Sequence, residues 1–211
     1  MRSISELSHC ATQHLTEYTS ARNNFAFLTY DRVGQARIFE PTDALAPGLL
    51  DASVRGRYVI EMFRAGNVED NPYASLMTAI TEVLQSEACN GAEFLDIDLE
   101  TDPAWQLVRR AFVSSETTPG IKASKVSKML HRKIPNLVPI YDSKVRGFYG
   151  TASSSPGSYW KRIQEDWRLN RDFLNELAGK VDTPDGRKLS LLRAADVVIW
   201  THVKTNCSER A

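Results

Sequence analysis

A single acidic residue, Asp142, lies within the most basic stretch of the chain. Between Thr118 and Gly150 it is the only acid beside seven basic residues, which gives this segment a charge of +6 (7 − 1) in a chain whose formal net charge is zero. The basic residues are Lys122, Lys125, Lys128, Arg132, Lys133, Lys144 and Arg146. One carboxylate in such a setting suggests a nucleic-acid site with a catalytic acid. The alternative is that the charges only form a solvated face.

A tight turn precedes this acid. Pro119, Gly120 and Ile121 separate two segments with helical periodicity. Glycine permits the turn, and the first turn of the second helix presents free N–H groups and the positive end of the helix dipole, which suit a phosphate. Lys122 and Lys125 would add positive charge there. The alternative is an ordinary helical hairpin with a glycine cap.

The spacing from this turn to Asp142 resembles the core of the helix-hairpin-helix DNA glycosylases, over about 28 residues from Pro119 to Arg146. In that family a PGIG or PGVG hairpin is followed by a Val-Asp-Thr-His-Val-like segment with a catalytic Asp. The resemblance implies a monofunctional DNA N-glycosylase, a hydrolase in which Asp142 stabilises the positive charge that develops on the sugar. The implied DNA-binding residues are Gly120, Lys122, Lys125, Lys128, Lys144 and Arg146, and the implied base-stacking residues are Tyr141, Tyr149 and Trp160.

The sequence departs from the family pattern at two hairpin positions. Lys122 replaces the second hairpin glycine, and Ser124 stands where bifunctional members have a Schiff-base lysine, so lyase activity is not implied. The C-terminal iron–sulfur cysteines of some members are also missing. We therefore expect neither a metal nor another cofactor.

Several alternatives remain open. Asp142-Ser143 before an apolar segment is also a helix N-cap signature, so Asp142 is either structural or catalytic. His131 is either a proton shuttle or a structural histidine. The protein as a whole is either an enzyme, a non-catalytic nucleic-acid-binding or regulatory protein that retains the hairpin, or a helical protein–protein adaptor.

A wider pattern is similar to an uncharacterised bacterial family. Its marks are the run from Ser127 to Lys133, Pro135, the run from Pro139 to Ser143, Leu192-Arg193, and the run from Asp196 to Trp200. This second resemblance covers more of the chain and implies no activity.

The elements that would position these residues are mostly helical. Helical periodicity or start signals occur at residues 3–19, near Thr42, after Asn71-Pro72 and Asp102-Pro103, after the hairpin, and in two C-terminal segments, 159–177 and 189–202. Phe25–Tyr30 and Phe94–Leu99 favour short strands or extended segments. We predict a mostly α, two-lobed single domain over residues 1–211 that contains a helix-hairpin-helix and one or two short strands. Its lobes would span about residues 1–100 and 101–211, and the hairpin and Asp142 would face a cleft.

Composition limits the class of protein. The hydrophobic fraction of 42% and charged fraction of 25% are ordinary for a soluble domain. No apolar run reaches membrane-spanning length and the N-terminus lacks a signal-peptide core, so we expect a cytoplasmic protein without membrane contact. The expected partner is DNA, and the sequence does not determine the oligomeric state. Three scattered cysteines (Cys10, Cys89 and Cys207) argue against a disulfide framework and a zinc knuckle. His9 and His14, five apart on the first helix, are interpreted as surface histidines.

Overall fold

The computed structural model describes residues 2–20, 25–32, 37–64, 71–152 and 156–205, and these residues are mostly α-helical. The α-helices are α1 (Ser8–Thr19), α2 (Phe25–Tyr30), α3 (Pro41–Leu45), α4 (Gly56–Met62), α5 (Ala74–Gln85), α6 (Pro103–Thr117), α7 (Ala123–Lys133), α8 (Ser143–Phe148), α9 (Pro156–Leu169), α10 (Arg171–Gly179) and α11 (Leu191–Thr205). Short 3-10 helices occupy Ile4–Leu7, Ala46–Leu50 and Glu87–Cys89. The predicted mostly α class is confirmed.

The prediction of short strands is wrong for both segments, because no β-strand occurs in the ranges given above. Phe25–Tyr30 is helix α2, in which Phe27 and Tyr30 are buried three residues apart while Phe25 is 72% exposed. Phe94–Leu99 forms turns: the N–H groups of Asp96 and Ile97 both donate to the carbonyl of Glu93, at 2.9 and 3.3 Å. Local i,i+3 and i,i+4 bonds therefore take the backbone groups that a sheet would have paired.

The chain forms two compact units. Unit 1 contains residues 1–32 and 139–211, and unit 2 contains residues 33–138. None of the helices within the described ranges combines the length and the apolar character needed to cross a bilayer.

Unit 1 is built around α11, which contacts α1, α8 and α10. Every residue from Leu192 to Ile199 is buried, so this helix has no solvated face over two turns. Its two buried charges are compensated within the unit. Arg193 Nη1 donates to Asp196 Oδ2 at 2.5 Å, and its Nε donates to Asp31 Oδ1 at 3.0 Å.

Unit 2 packs α5 against α6, α6 against α7, and α7 against α3 and the 3-10 helix Ala46–Leu50. The predicted start of α6 is confirmed: Asp102 is the N-cap, with Oδ1 accepting from Ala104 N at 2.8 Å, and Pro103 is the first helical residue. The core of the unit includes Trp105, Val108, Val126 and Met129, each at most 1% exposed. This packing places the hairpin between α6 and α7.

Candidate functional site

Asp142 is the N-cap of helix α8. Its backbone is extended, with φ −110° and ψ 143°, and its Oδ1 accepts from the N–H of Lys144 at 2.9 Å. Asp142 as a residue is only 9% exposed. The capping alternative therefore describes the observed contact, and a catalytic role for Asp142 stays a prediction.

The other end of α8 is a glycine-terminated cap that fixes Arg146. Gly150 has φ +68° and donates to Gly147 O at 3.1 Å, while Thr151 N donates to Arg146 O at 2.8 Å, the pair of bonds of a Schellman motif. The Arg146 guanidinium turns back on the following segment, where Nη2 donates to the carbonyls of Thr151, at 3.2 Å, and Ala152. Its Cζ lies 4.6 Å from the centroid of the Tyr141 ring.

Two lysines lie on one tryptophan ring in unit 1. Lys144 from α8 places its Nζ 4.1 Å from the centroid of Trp200, and Lys204, one turn after Trp200 on α11, places its Nζ 4.8 Å from the same ring. Trp200 and Lys144 are partly exposed and Lys204 is exposed. Within the described part of the chain, neither ammonium is paired with a carboxylate.

Of the three expected stacking residues, two are fixed in the core. Tyr149 is 6% exposed, and its hydroxyl donates to Asp166 Oδ2 at 2.7 Å and accepts from Trp167 Nε1 at 2.8 Å. Burial, together with the negative charge of Asp166, raises the pKa of Tyr149 well above its ordinary value. Trp160 is 3% exposed and contacts Tyr141, with ring centroids 5.3 Å apart. Tyr141 alone of the three is partly exposed.

The predicted hairpin is present in unit 2 as α6, a turn and α7. Gly120 adopts φ +68°, and a Cβ at this position would lie 2.2 Å from Cε2 of Tyr58. Both the backbone angle and the close approach of the ring therefore require glycine here.

The hairpin lysines bind backbone carbonyls. Lys122 Nζ donates to the carbonyls of Glu116 at 2.6 Å and Thr118 at 3.2 Å, at the end of α6, where unpaired carbonyls and the negative end of the helix dipole attract a cation. Lys125 Nζ donates to Gly120 O at 2.6 Å. Two of the charges expected near a phosphate thus stabilise the hairpin itself.

The alternative in which the basic residues form a solvated face is wrong for Lys128 and Lys133 on α7, which are 2% and 3% exposed. Lys128 Nζ donates to Leu50 O at 2.7 Å, and Lys133 Nζ lies 2.8 Å from Asp43 Oδ2. The reason is that α3 and the 3-10 helix Ala46–Leu50 pack on this face and supply acceptors. His131 is also buried, with Nδ1 2.7 Å from Val138 O, which favours its structural alternative.

The interpretation of His14 as a surface histidine is also wrong, because it is 4% exposed; His9 is exposed as expected. The ring of His14 lies against that of His202, with centroids 6.3 Å apart, and Cys10 is one turn before His14 on α1. The spacing of His9 and His14 does not indicate the group formed by Cys10, His14 and His202. The signal that the sequence did contain is the four-residue spacing of Cys10 and His14.

The expected site residues belong to different units. Asp142, Lys144, Arg146, Tyr141, Tyr149 and Trp160 are in unit 1, and Gly120, Lys122, Lys125 and Lys128 are in unit 2. Within unit 1, the structure brings together Tyr141, Arg146 and Trp160, and separately Lys144, Trp200 and Lys204. Paired cations and partly exposed rings can bind phosphates and stack on bases.

Comparison with known proteins identifies a family without assigning an activity. No curated protein and no solved structure matches the chain. The profile of a family of unknown function, DUF6308, matches residues 11–203. The expectation of an uncharacterised family is thereby confirmed, and the resemblance to helix-hairpin-helix glycosylases stays a prediction. Since the match covers most of the sequence, the chain belongs to the DUF6308 family.

Proposed function

We propose that this protein binds DNA through unit 1, at the α8 cluster, defined as Lys144, Trp200 and Lys204. The observation that carries the proposal is the placement of Lys144 and Lys204, from two different helices, on the partly exposed ring of Trp200. Cationic groups interleaved with accessible aromatic rings are the combination that binds a phosphate backbone and its bases.

The charge at Trp200 favours an anionic ligand. Lys144 and Lys204 hold two ammonium groups within 5 Å of one ring centroid, and among the described residues no carboxylate neutralises them. A phosphate bound at this ring would be attracted by both ammonium groups, and its binding would release counterions from the nucleic acid.

The distribution of charge between the units supports the same location. Unit 1 contains 15 Lys and Arg residues against 12 Asp and Glu, a net charge of +3, whereas unit 2 contains 11 against 14, a net charge of −3. A polyanion responds to the local field rather than to the total charge of the chain, which is zero. The more favourable unit is therefore the one that contains the α8 cluster.

The hairpin is the less favourable location. Lys122, Lys125 and Lys128 already donate to backbone carbonyls, so a phosphate there would have to replace existing bonds. For this reason the proposal places DNA at α8. Removal of a base with Asp142 as the catalytic acid is a finer prediction, which needs an activity assay as well as a binding assay.

The test is fluorescence anisotropy with labelled single-stranded and duplex oligonucleotides at several salt concentrations. The Lys144→Ala/Lys204→Ala variant should weaken binding and lower the slope of log K against log[salt] by about 2, one for each phosphate contact. The matched control is Lys180→Ala/Lys188→Ala, which removes two exposed charges from the same unit that are paired with Glu176 and Asp182.

Equal losses in the two double variants would show that only net charge matters and would overturn the assignment to α8. Absence of binding by the wild-type protein at low salt would overturn DNA binding altogether. Trp200→Leu should weaken single-stranded binding more than duplex binding, because only unpaired bases are free to stack on the ring.

A further inference from the structure

Three side chains that bind transition metals in many proteins meet in unit 1. Cys10 and His14 are four residues apart on α1 and so project from one face of that helix, and His202 is on α11, which packs against α1. One ligand atom from each residue (the Cys10 thiol sulfur and one ring nitrogen from each of His14 and His202) lies within 4.8 Å of the others.

The unpartnered ring nitrogens of His14 are independent evidence for a ligand at this cluster. His14 is 4% exposed, yet neither Nδ1 nor Nε2 has a hydrogen-bond partner among the described residues. Nδ1 of His202 is likewise buried and unpartnered. Buried polar atoms are nearly always satisfied, because leaving one unpaired is destabilising, so orphaned nitrogens on two adjacent imidazoles indicate a missing partner.

An imidazole binds an ion through the lone pair of a ring nitrogen that carries no proton. Neither ring nitrogen of His14 is engaged by another group among the described residues, so either one can serve as the ligand atom.

We propose that Cys10, His14 and His202 bind a zinc-class divalent ion, with the fourth tetrahedral position open to water or to an exogenous ligand. One thiolate and two imidazoles are a donor set that zinc prefers, and three protein ligands with one open position are the arrangement of reactive rather than structural zinc sites. Tetrahedral ligand atoms at zinc bond lengths lie about 3.3–3.8 Å apart, so small side-chain rotations close the site.

The chemistry of binding has a defined proton balance. The Cys10 thiol is 3.5 Å from the carbonyl of Leu7, to which it donates, and it must lose that proton to become a ligand. Binding of one ion should therefore release the Cys10 thiol proton to solvent. His202 is partly exposed, so an ion can reach the group from solvent beside this residue.

The test is titration of the metal-free, untagged full chain with Co²⁺, whose thiolate charge-transfer and visible bands report ligand type and tetrahedral geometry. One equivalent should saturate the wild-type protein. Cys10→Ser should abolish the charge-transfer band, and His202→Gln should weaken affinity at least about tenfold. The matched controls are Cys89→Ser, which removes the other described buried thiol, and His9→Gln, which removes a neighbouring exposed imidazole; both should bind like wild type.

A stability measurement separates lost ligands from misfolding. Metal-free His14→Leu should melt no lower than the metal-free wild type, because it replaces an unsatisfied buried ring by an apolar side chain, and it should lose the stabilisation that equimolar Zn²⁺ gives to wild type. Absence of a thiolate band or of Zn²⁺ stabilisation in the wild-type protein, or equal loss of binding in Cys89→Ser, would overturn the proposal. A marked destabilisation of metal-free His14→Leu would also count against it, since the ring would then have a partner.

Discussion

Lys133 and Asp43 form an ion pair inside unit 2. The lysine Nζ lies 2.8 Å from Asp43 Oδ2, and the two side chains are 0% and 1% exposed. Asp43 Oδ2 also accepts from Glu40 N at 2.8 Å, and its Oδ1 accepts from Arg132 Nε at 3.0 Å. One carboxylate thus joins α3 to the end of α7, and the hairpin helix is anchored by charges that sequence alone placed on a surface.

Replacing Asp43 by Asn should destabilise the protein strongly. The change removes the carboxylate that lies 2.8 Å from the buried Lys133 ammonium, and removing one partner of a buried ion pair typically costs about 3–5 kcal/mol of unfolding free energy. Urea denaturation measures this loss. Asp43→Asn/Lys133→Met should recover part of it, because both charges of the buried pair are then removed together.

The matched control for this prediction is Glu87→Gln, which breaks an ion pair with Arg37. The Arg37 side chain is 45% exposed and the Glu87 side chain is 79% exposed. Solvent screens that pair, so its loss should leave the denaturation midpoint almost unchanged. Equal midpoints for Asp43→Asn and Glu87→Gln would show that the buried pair contributes no more than the exposed one.

Local signals in the sequence predicted local structure well. Asp102-Pro103 begins α6, the Pro119-Gly120 turn joins α6 to α7, and Asp142 caps α8. These features depend on residues within one helical turn of each other, where capping and backbone preferences decide the conformation.

Long-range burial was not predictable in the same way. Lys128 is buried because it reaches the carbonyl of Leu50, 78 residues earlier, and His14 is buried where α11 covers α1. Periodicity shows which residues share a helix face, but it does not show which helix covers a polar face or supplies its acceptor. The cluster of Cys10, His14 and His202 lay outside prediction for that reason.

Gly120 and Gly150 allow the cost of backbone strain to be distinguished from the cost of a steric clash. Gly120 and Gly150 both have φ +68°, but a Cβ would meet Tyr58 at 2.2 Å in the first case and nothing within 4 Å in the second. Gly150→Ala should cost about 1–2 kcal/mol from the left-handed backbone alone. Gly120→Ala should cost clearly more, measured as the difference in urea midpoint.

Shortening Tyr58 tests the source of that difference. Adding Tyr58→Ser to Gly120→Ala removes the ring that the new Cβ would meet, so part of the loss should return. If Gly120→Ala and Gly150→Ala were equally destabilising, the close approach of Tyr58 to the hairpin would have no energetic consequence.

Buried tyrosines should make the protein sensitive to alkali. Burial raises the pKa of Tyr149 and of Tyr159 well above the ordinary value of 10.0. Above about pH 10 the unfolded chain releases these protons and the folded protein keeps them, so unfolding becomes more favourable as pH rises. The stabilisation is complete below pH 10 and declines as pH increases toward the folded pKa values. Urea denaturation at several pH values checks the slope.

Tyr149→Phe should reduce that alkaline slope, because it removes one raised pKa. Tyr58→Phe is the control, since a hydrogen bond from Arg57 lowers the pKa of Tyr58. Removing Tyr58 should therefore leave the loss of stability above pH 10 undiminished. An equal slope in wild type and Tyr149→Phe would contradict the effect of burial.

Variants of Asp142 distinguish a helix cap from a catalytic acid. Asparagine also caps helices, so Asp142→Asn should fold with nearly wild-type stability, whereas Asp142→Ala should lose about 1 kcal/mol as the bond to Lys144 N disappears. Thermal denaturation compares the two variants.

A screen of duplexes with modified bases, read by strand scission after alkali, then tests base removal. Activity in wild type that Asp142→Asn loses without loss of stability would establish the catalytic role. Equal activity in both would leave Asp142 as the cap that positions Lys144 and Arg146, and DNA binding at α8 would then stand without the chemistry.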